Sequence, residues 1–471
     1  MKNKFLIILA LIAFFGCEEQ LDRSPIDALR ASTTFQSVGD LENGMFGFIG
    51  SYGINTLTGF NSLYSDNTTL GSNNGGQELN ALQLILDPDT GDRGLWANRY
   101  SHINDINRVL EAAETIEPDP NTPGEVDTYN FILGQARGFR ALAHWDLLLY
   151  YGLDVTDPSA PGVVYQDFVE LNGNPSRLTV GETLAAIQAD LDLANEILEG
   201  ETDKSYITPD FITFLRARIA LETGDYDGAI ANATAIIDQY PLANQAQYLE
   251  MFGGDLNDIE VVWRYDSVQG FNATATFIWH FGGGTLLDAD FVKMSSELAG
   301  LFQVDDVRFT VNLENEVDIE ADSELITKYP PNANQLYIND VKAMRSSEAY
   351  LIRAEAHARN GAFDLAAADV ESVRDARRAG TITVEPYEST VEAIEDILFE
   401  RRLELCFEGH RYNDIKRTRD ITGEGMSRAD ADCAPASVNC EIPVDSEKWI
   451  FPIPTEELNA NPNILPQAPG Y

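Results

Sequence analysis

The side chains of this sequence that could do chemistry are flat rings and short polar groups gathered in two irregular stretches. Tyr64, Asp66, Asn67, Asn73 and Asn74 cluster in the first, and Trp279, His280 and Tyr337 fall in the second. An aromatic face suits the C–H side of a pyranose ring, while carboxylates and amides suit its hydroxyls. These eight are therefore the candidate ligand-binding residues, and the ligand they suit is a sugar. Two of them have a second reading. Trp279 alternates with Phe277 and Phe281, as a core residue would, and Asp66 could cap a turn. Trp96 and Trp145 sit on helical stripes and read as core.

Catalytic signatures are missing. There is no HExxH, no GxSxG and no dinucleotide fingerprint, and the glycines at 282–284 lack the lysine of a phosphate-binding loop. The five histidines, His102, His144, His280, His357 and His410, are scattered over different elements. Asp87, Asp89 and Asp92 in the run DPDTGD could approach calcium, but their spacing departs from an EF-hand loop. The sequence thus predicts no catalytic residue, no metal and no cofactor: a binder, not an enzyme. A glycoside hydrolase is the third reading, because carboxylate pairs leave no mark in a chain full of Asp and Glu.

The chain has 471 residues, 44% of them hydrophobic and 10% aromatic, enough for a sizeable core. Its 76 acidic and 32 basic residues give a formal charge of −44. Such a surface is repelled by nucleic acid, so no nucleic-acid partner is expected. The acidic residues are spread along the chain, as on a solvated surface.

Residues 1–16 read as a signal peptide, with Lys2 and Lys4 before the apolar run from Phe5 to Phe15. That run is too short to span a bilayer, and no later stretch reaches spanning length. The order Gly16-Cys17 directly after it resembles a bacterial lipoprotein site, with lipidation at Cys17. Several acyl chains would anchor the protein stably. Of the other cysteines, Cys433 and Cys440 flank a short loop and are the expected disulfide in an oxidising compartment. Cys406 falls in a helical pattern and reads as a buried, inert thiol.

Helices must position all of this. Periodicity predicts them over 96–115, 129–151 and 179–199, the last with Thr179 as N-cap and Glu182 three residues on. An internal repeat follows: LRARIALETGDYDGA at 215–229 and IRAEAHARNGAFDLA at 352–366. Each copy reads as helix, Gly turn, aromatic, helix, which resembles a tetratricopeptide unit. Between the copies, about 240–340, lies a loop-rich insertion. Alternation predicts short strands in it at EVVWRY (260–265) and ATFIWHF (275–281). Residues 391–417 read as one long helix. Its stripe Val391, Leu398, Leu405, Tyr412 would also turn Arg401 and Glu408 inward, and each of these charges needs its own partner.

The order of these segments resembles the SusD/RagB family of Bacteroidota surface lipoproteins. Glu400-Arg401-Arg402-Leu403-Glu404-Leu405, then Phe407-Glu408-Gly409-His410-Arg411, Asp414 and Lys416-Arg417, match its signature. Arg345 with Glu348-Ala349-Tyr350-Leu351-Ile352, and Phe451-Pro452-Ile453-Pro454 with the terminal Pro469-Gly470-Tyr471, match the segments on either side. The resemblance implies a mainly α fold of tetratricopeptide-like helical pairs, as one domain over 17–471. It also implies an outer-membrane, lipid-anchored protein at the cell surface. Such a protein captures oligo- or polysaccharide and delivers it to a SusC-like TonB-dependent transporter. The alternative is a tetratricopeptide-type surface lipoprotein that binds protein or peptide.

Overall fold

The computed structural model describes residues 35–71, 74–76, 79–89, 94–169, 173–266, 292–313, 326–329, 339–433 and 440–471. The expected signal peptide, Cys17, Asn73, Asp92, the strand at 275–281 with Trp279 and His280, and Tyr337 lie outside the described residues.

Helices α1 (Val38–Ser51) and α2 (Ile54–Leu63) lead into strand β1 (Thr68–Leu70) and the one-turn α3 (Leu79–Leu82). Three long helices follow, α4 (Leu95–Ala113), α5 (Glu125–Tyr151) and α6 (Val180–Ile197). Next come α7 (Pro209–Thr223), α8 (Tyr226–Ile237), α9 (Gln245–Gly254), β2 (Val261–Tyr265) and β3 (Val292–Met294). Then α10 (Ser296–Leu301), α11 (Val307–Leu313) and β4 (Val341–Arg345) precede the second pair, α12 (Ser346–Arg359) and α13 (Phe363–Arg377). The chain closes with α14 (Thr390–Glu404), α15 (Arg411–Thr422), β5 (Met426–Ser427), β6 (Glu441–Ile442) and α16 (Thr455–Ala460). The fold is mainly α, and its described strands form three two-stranded antiparallel ladders, β1–β3, β2–β4 and β5–β6.

Local chemistry places the helix ends. Thr179 and Glu182 form a capping box at the start of α6, satisfying backbone N–H groups that have no helical acceptor. Thr208 caps α7 and is followed by Pro209, whose missing N–H costs nothing there. The repeat is real in three dimensions. Gly224 and Gly361 both take left-handed conformations, φ +83° and +75°, and close the same turn in α7–α8 and α12–α13. Ala217, Ala354, Ala229 and Ala366 are fully buried where the helices of each pair cross. The two copies pack side by side through α8 and α12, although the insertion separates them in sequence. That insertion is more helical than its composition predicts, since α9, α10 and α11 lie within it beside the strands.

The helix expected over 391–417 is two helices. The chain reverses after α14 through Phe407 (φ +64°) and Gly409 (φ +93°) before α15 begins. Val391 is exposed, and the inward face of α14 is Ala393, Ile394, Ile397, Glu400, Arg401, Leu403 and Glu404. The seven-residue stripe misled because paired charges occupy positions that a reading by hydrophobicity assigns to solvent. Cys406 is buried as expected but sits in the turn, not in a helix, and burial pushes its thiol up to about 11. Trp96 and Trp145 are core residues.

Candidate functional site

Residues 64–71 and 74–76 rest on the helical frame. The Asp66 carboxylate accepts Nε and Nη2 of Arg411, both at 2.8 Å, with Arg402 Nη2 at 3.3 Å. Burial pushes this carboxyl up, but Arg411 and Arg402 outweigh it and hold it well below the usual range. Arg402 also donates to Asn67 Oδ1 at 3.0 Å and to Glu297 Oε1 at 2.6 Å. The Tyr64 hydroxyl donates to the Leu84 carbonyl at 3.1 Å, and its ring packs on Tyr412 and Phe451. Asn74 is 1% exposed, and its backbone N–H donates to the Gly71 carbonyl.

This corrects the expectation for four residues. Tyr64, Asp66, Asn67 and Asn74 are buried and present no ligand surface in this structure. For Asp66 and Asn67 the physical reason is charge, while the Tyr64 ring is taken up by Tyr412 and Phe451. Arg402 and Arg411 project from the frame into a poorly solvated place, and the nearest carboxylate and amide must answer them. These residues are posts under the loop.

Above the posts, three segments remote in sequence meet. β1 pairs with β3 in the register Thr68 to Met294 and Leu70 to Val292. The Asp432 carboxylate accepts the Ser296 backbone N–H and hydroxyl (2.8–3.1 Å), while the Thr69 hydroxyl donates to the Asp432 carbonyl at 2.9 Å. The Arg428 guanidinium donates to the Thr68 and Leu63 carbonyls. A disulfide joins Cys433 to Cys440 beside this cross-brace. Glu297, Gly75, Gly76, Asp430 and Glu441 lie toward solvent on these segments. The residues bracketing 267–291 are fixed on the same frame. Tyr265 donates its hydroxyl to the Ile49 and Gly50 carbonyls, and Val292 sits in the ladder. Asn339, which follows 330–338, donates its amide to the Phe252 carbonyl.

A buried ionic lattice surrounds α14 within the frame. Glu404 accepts Arg345 at 2.8 Å and Arg377 at 2.9 and 3.0 Å. Glu408, which also drew attention as a possible acid, accepts Arg345 at 2.7 Å and Lys328 at 2.5 Å. Burial raises the Glu408 carboxyl, but Arg345 and Lys328 overcome it and keep it ionised, so it serves as a structural anion. Arg401 pairs with Asp414 at 2.8 Å. Both inward charges of the signature thus have separate partners. Among the described residues no group of three or more His, Cys, Asp or Glu is placed to hold a metal.

Sequence reasoning missed Glu297, Arg428 and Asp432. Their partners lie more than 100 residues away, and no spacing rule reaches that far. Arg402 alone, within the signature, could have hinted that something acidic must come to meet it.

Comparison with known proteins accords with this architecture. Residues 329–471 match the family described as SusD family, and residues 21–211 match one described as starch-binding associating with outer membrane. A SusD-like protein P2 from Formosa agariphila is 23% identical over the whole of both chains. A putative sugar binding protein from Bacteroides vulgatus superposes with a TM-score of 0.75 at 24% identity, covering 93% of this chain and all of that one. Surface glycan-binding protein A from Bacteroides thetaiotaomicron, solved with laminarihexaose, superposes with a TM-score of 0.69 at 17% identity, covering 92% of this chain and all of that one. The two family matches together span more than two thirds of the sequence and include the posts under the loop face and every member of the ionic lattice named above except Lys328, and the chain therefore belongs to the SusD/RagB family.

Proposed function

We propose that this protein captures an oligo- or polysaccharide on the face built by 64–71, 74–76, 292–297, 426–433 and 440–442, and binds it without cleaving it. One observation carries the reading: three irregular segments are braced on a rigid helical frame and leave their outer side to solvent. Trp279, His280 and Tyr337 would supply the rings. The binding of sugars by structural relatives supports the choice of ligand. Cys17 would carry the lipid that anchors the chain at the cell surface. A SusC-like TonB-dependent transporter in the outer membrane would receive the glycan. Tethering beside a transporter raises the effective concentration, so modest affinity at one site suffices.

The test is calorimetric titration with a panel of neutral oligosaccharides, laminarihexaose among them, for the wild type and Trp279→Ala. Binding of at least one glycan, weakened tenfold or more by Trp279→Ala, is the expected result. Affinity for peptides with none for any glycan would overturn the proposal in favour of a tetratricopeptide-type protein binder. Release of reducing ends would show a hydrolase instead.

A further inference from the structure

The helical frame holds a cavity of about 110 Å³, separate from the loop face, whose wall mixes apolar and polar side chains. It lies between α2, α5, α7 and α12, and the turn that joins α14 to α15 lines a further side. Most of its wall charges are spoken for. Glu348 takes Arg218 in a bidentate pair at 2.6 and 2.7 Å, and Asp146 accepts the Tyr52 hydroxyl at 2.8 Å.

A second observation concerns other side chains of the same wall. Arg401 has one nitrogen on Asp414, but its Nε and Nη1 are buried and have no partner in the protein. The amide oxygens of Asn61 and Asn413 are likewise unpartnered, although both amide nitrogens donate to the Tyr150 hydroxyl. The Trp263 indole N–H completes the set. All four side chains are more than nine-tenths buried and line the cavity. Five unanswered hydrogen-bonding atoms around one space are costly unless something in that space answers them.

The occupant must both donate and accept, since Asn61 and Asn413 offer acceptors while Arg401 and Trp263 offer donors. An anion would answer only the donors and would face the Asp146, Glu348, Glu408 and Asp414 carboxylates across the cavity. A cation would answer only the acceptors and would face Arg218 and Arg401. Water does both. The volume is several times the roughly 10–15 Å³ that one water needs, and each buried water forms about three hydrogen bonds. Such a cluster meets all five atoms and still bonds within itself.

We propose that this cavity is a built site for a cluster of ordered waters. The cluster is a structural component of the frame: it links the amide oxygens of Asn61 on α2 and Asn413 on α15 to Arg401 of α14, beside the protein bonds that run through the Tyr150 hydroxyl and the Gly409 carbonyl. The inference concerns the frame and stands whether or not the loop face binds sugar.

Two measurements on the full mature chain test it. A crystal structure at atomic resolution should show separate density peaks within about 2.7–3.2 Å of Arg401 Nε and Nη1 and of the Asn61 and Asn413 oxygens. A dry cavity, with these atoms turned to protein partners, would overturn the proposal. So would one continuous density too large for water. In solution, oxygen-17 relaxation dispersion counts long-lived internal waters. Ala343→Leu adds bulk to the wall without touching an unpartnered group, and should remove at least one water from the count. An unchanged count in a variant with native circular dichroism would also refute the site. If Ala343→Leu does not fold, the wild-type crystal structure decides alone.

Discussion

Arg411→Ala probes the idea that the loop face is held from below. Arg411 grips both oxygens of Asp66 at 2.8 Å in a fork geometry, and the carboxylate is buried. Deleting one partner of a buried pair costs about 3–5 kcal/mol when the remaining charge has nowhere to turn. Here Arg402 stays within 3.3 Å of Asp66, so the expected loss is smaller, about 2–3 kcal/mol. Equilibrium urea unfolding measures the global value, and amide exchange should show the earliest loss of protection at Asn67–Leu70. A double-mutant cycle with Asp66→Asn isolates the pair, with an expected coupling above about 1 kcal/mol. Because the Asp66 carboxyl is held low, the pair contributes fully above the unfolded value of about 3.9 and fades as pH falls below it. The gap between wild type and variant should therefore narrow in acid. A variant within about 0.5 kcal/mol of wild type, or strict additivity in the cycle, would refute the reasoning.

Three further outcomes are expected. Replacing Cys433 and Cys440 together by Ser reopens a loop of sequence separation 7, and the chain-entropy model puts the loss near 2.5 kcal/mol, read by thermal and urea unfolding. The carboxyls of Glu404, Glu408 and Asp414 are raised by burial but held low overall by their Arg and Lys partners. Their stabilisation is present above the unfolded carboxyl values of about 3.9–4.3 and is lost as pH falls through the lower folded ones, so stability should be flat near neutrality and drop steeply in acid. Glu404→Gln should flatten that acid limb, and stability rising on acidification would contradict the assignment. Gly138→Ala on α5 would place a Cβ 2.7 Å from Ile207, with no room to spare, and should cost about 1–3 kcal/mol without changing the fold measured by circular dichroism.

Legibility in the sequence followed the range of the interactions. The capping box at Thr179, the Gly224 and Gly361 turns and the helical cores around Trp96 and Trp145 rest on neighbours a few residues apart, and they could be read directly. The inward charges Arg401 and Glu408 were legible as a demand for partners, because a buried charge without one is too costly. Who the partners are was not legible: Asp414 lies one reversal of the chain away, while Arg345 and Lys328 lie 63 and 80 residues back. The break between α14 and α15 was hidden for the same reason, since ion-paired charges on the inner face blur the hydrophobic period.

Amino-acid order alone thus determined the class of fold, the duplicated helical pair, the disulfide partners and the absence of catalytic signatures, all properties of local pattern. Tertiary structure alone decided that Tyr64, Asp66, Asn67 and Asn74 face inward. A side chain's exposure depends on which distant groups must be neutralised beside it. Arg402 and Arg411 claim Asp66 and Asn67 from more than 300 residues away, a distance over which sequence carries no geometric information.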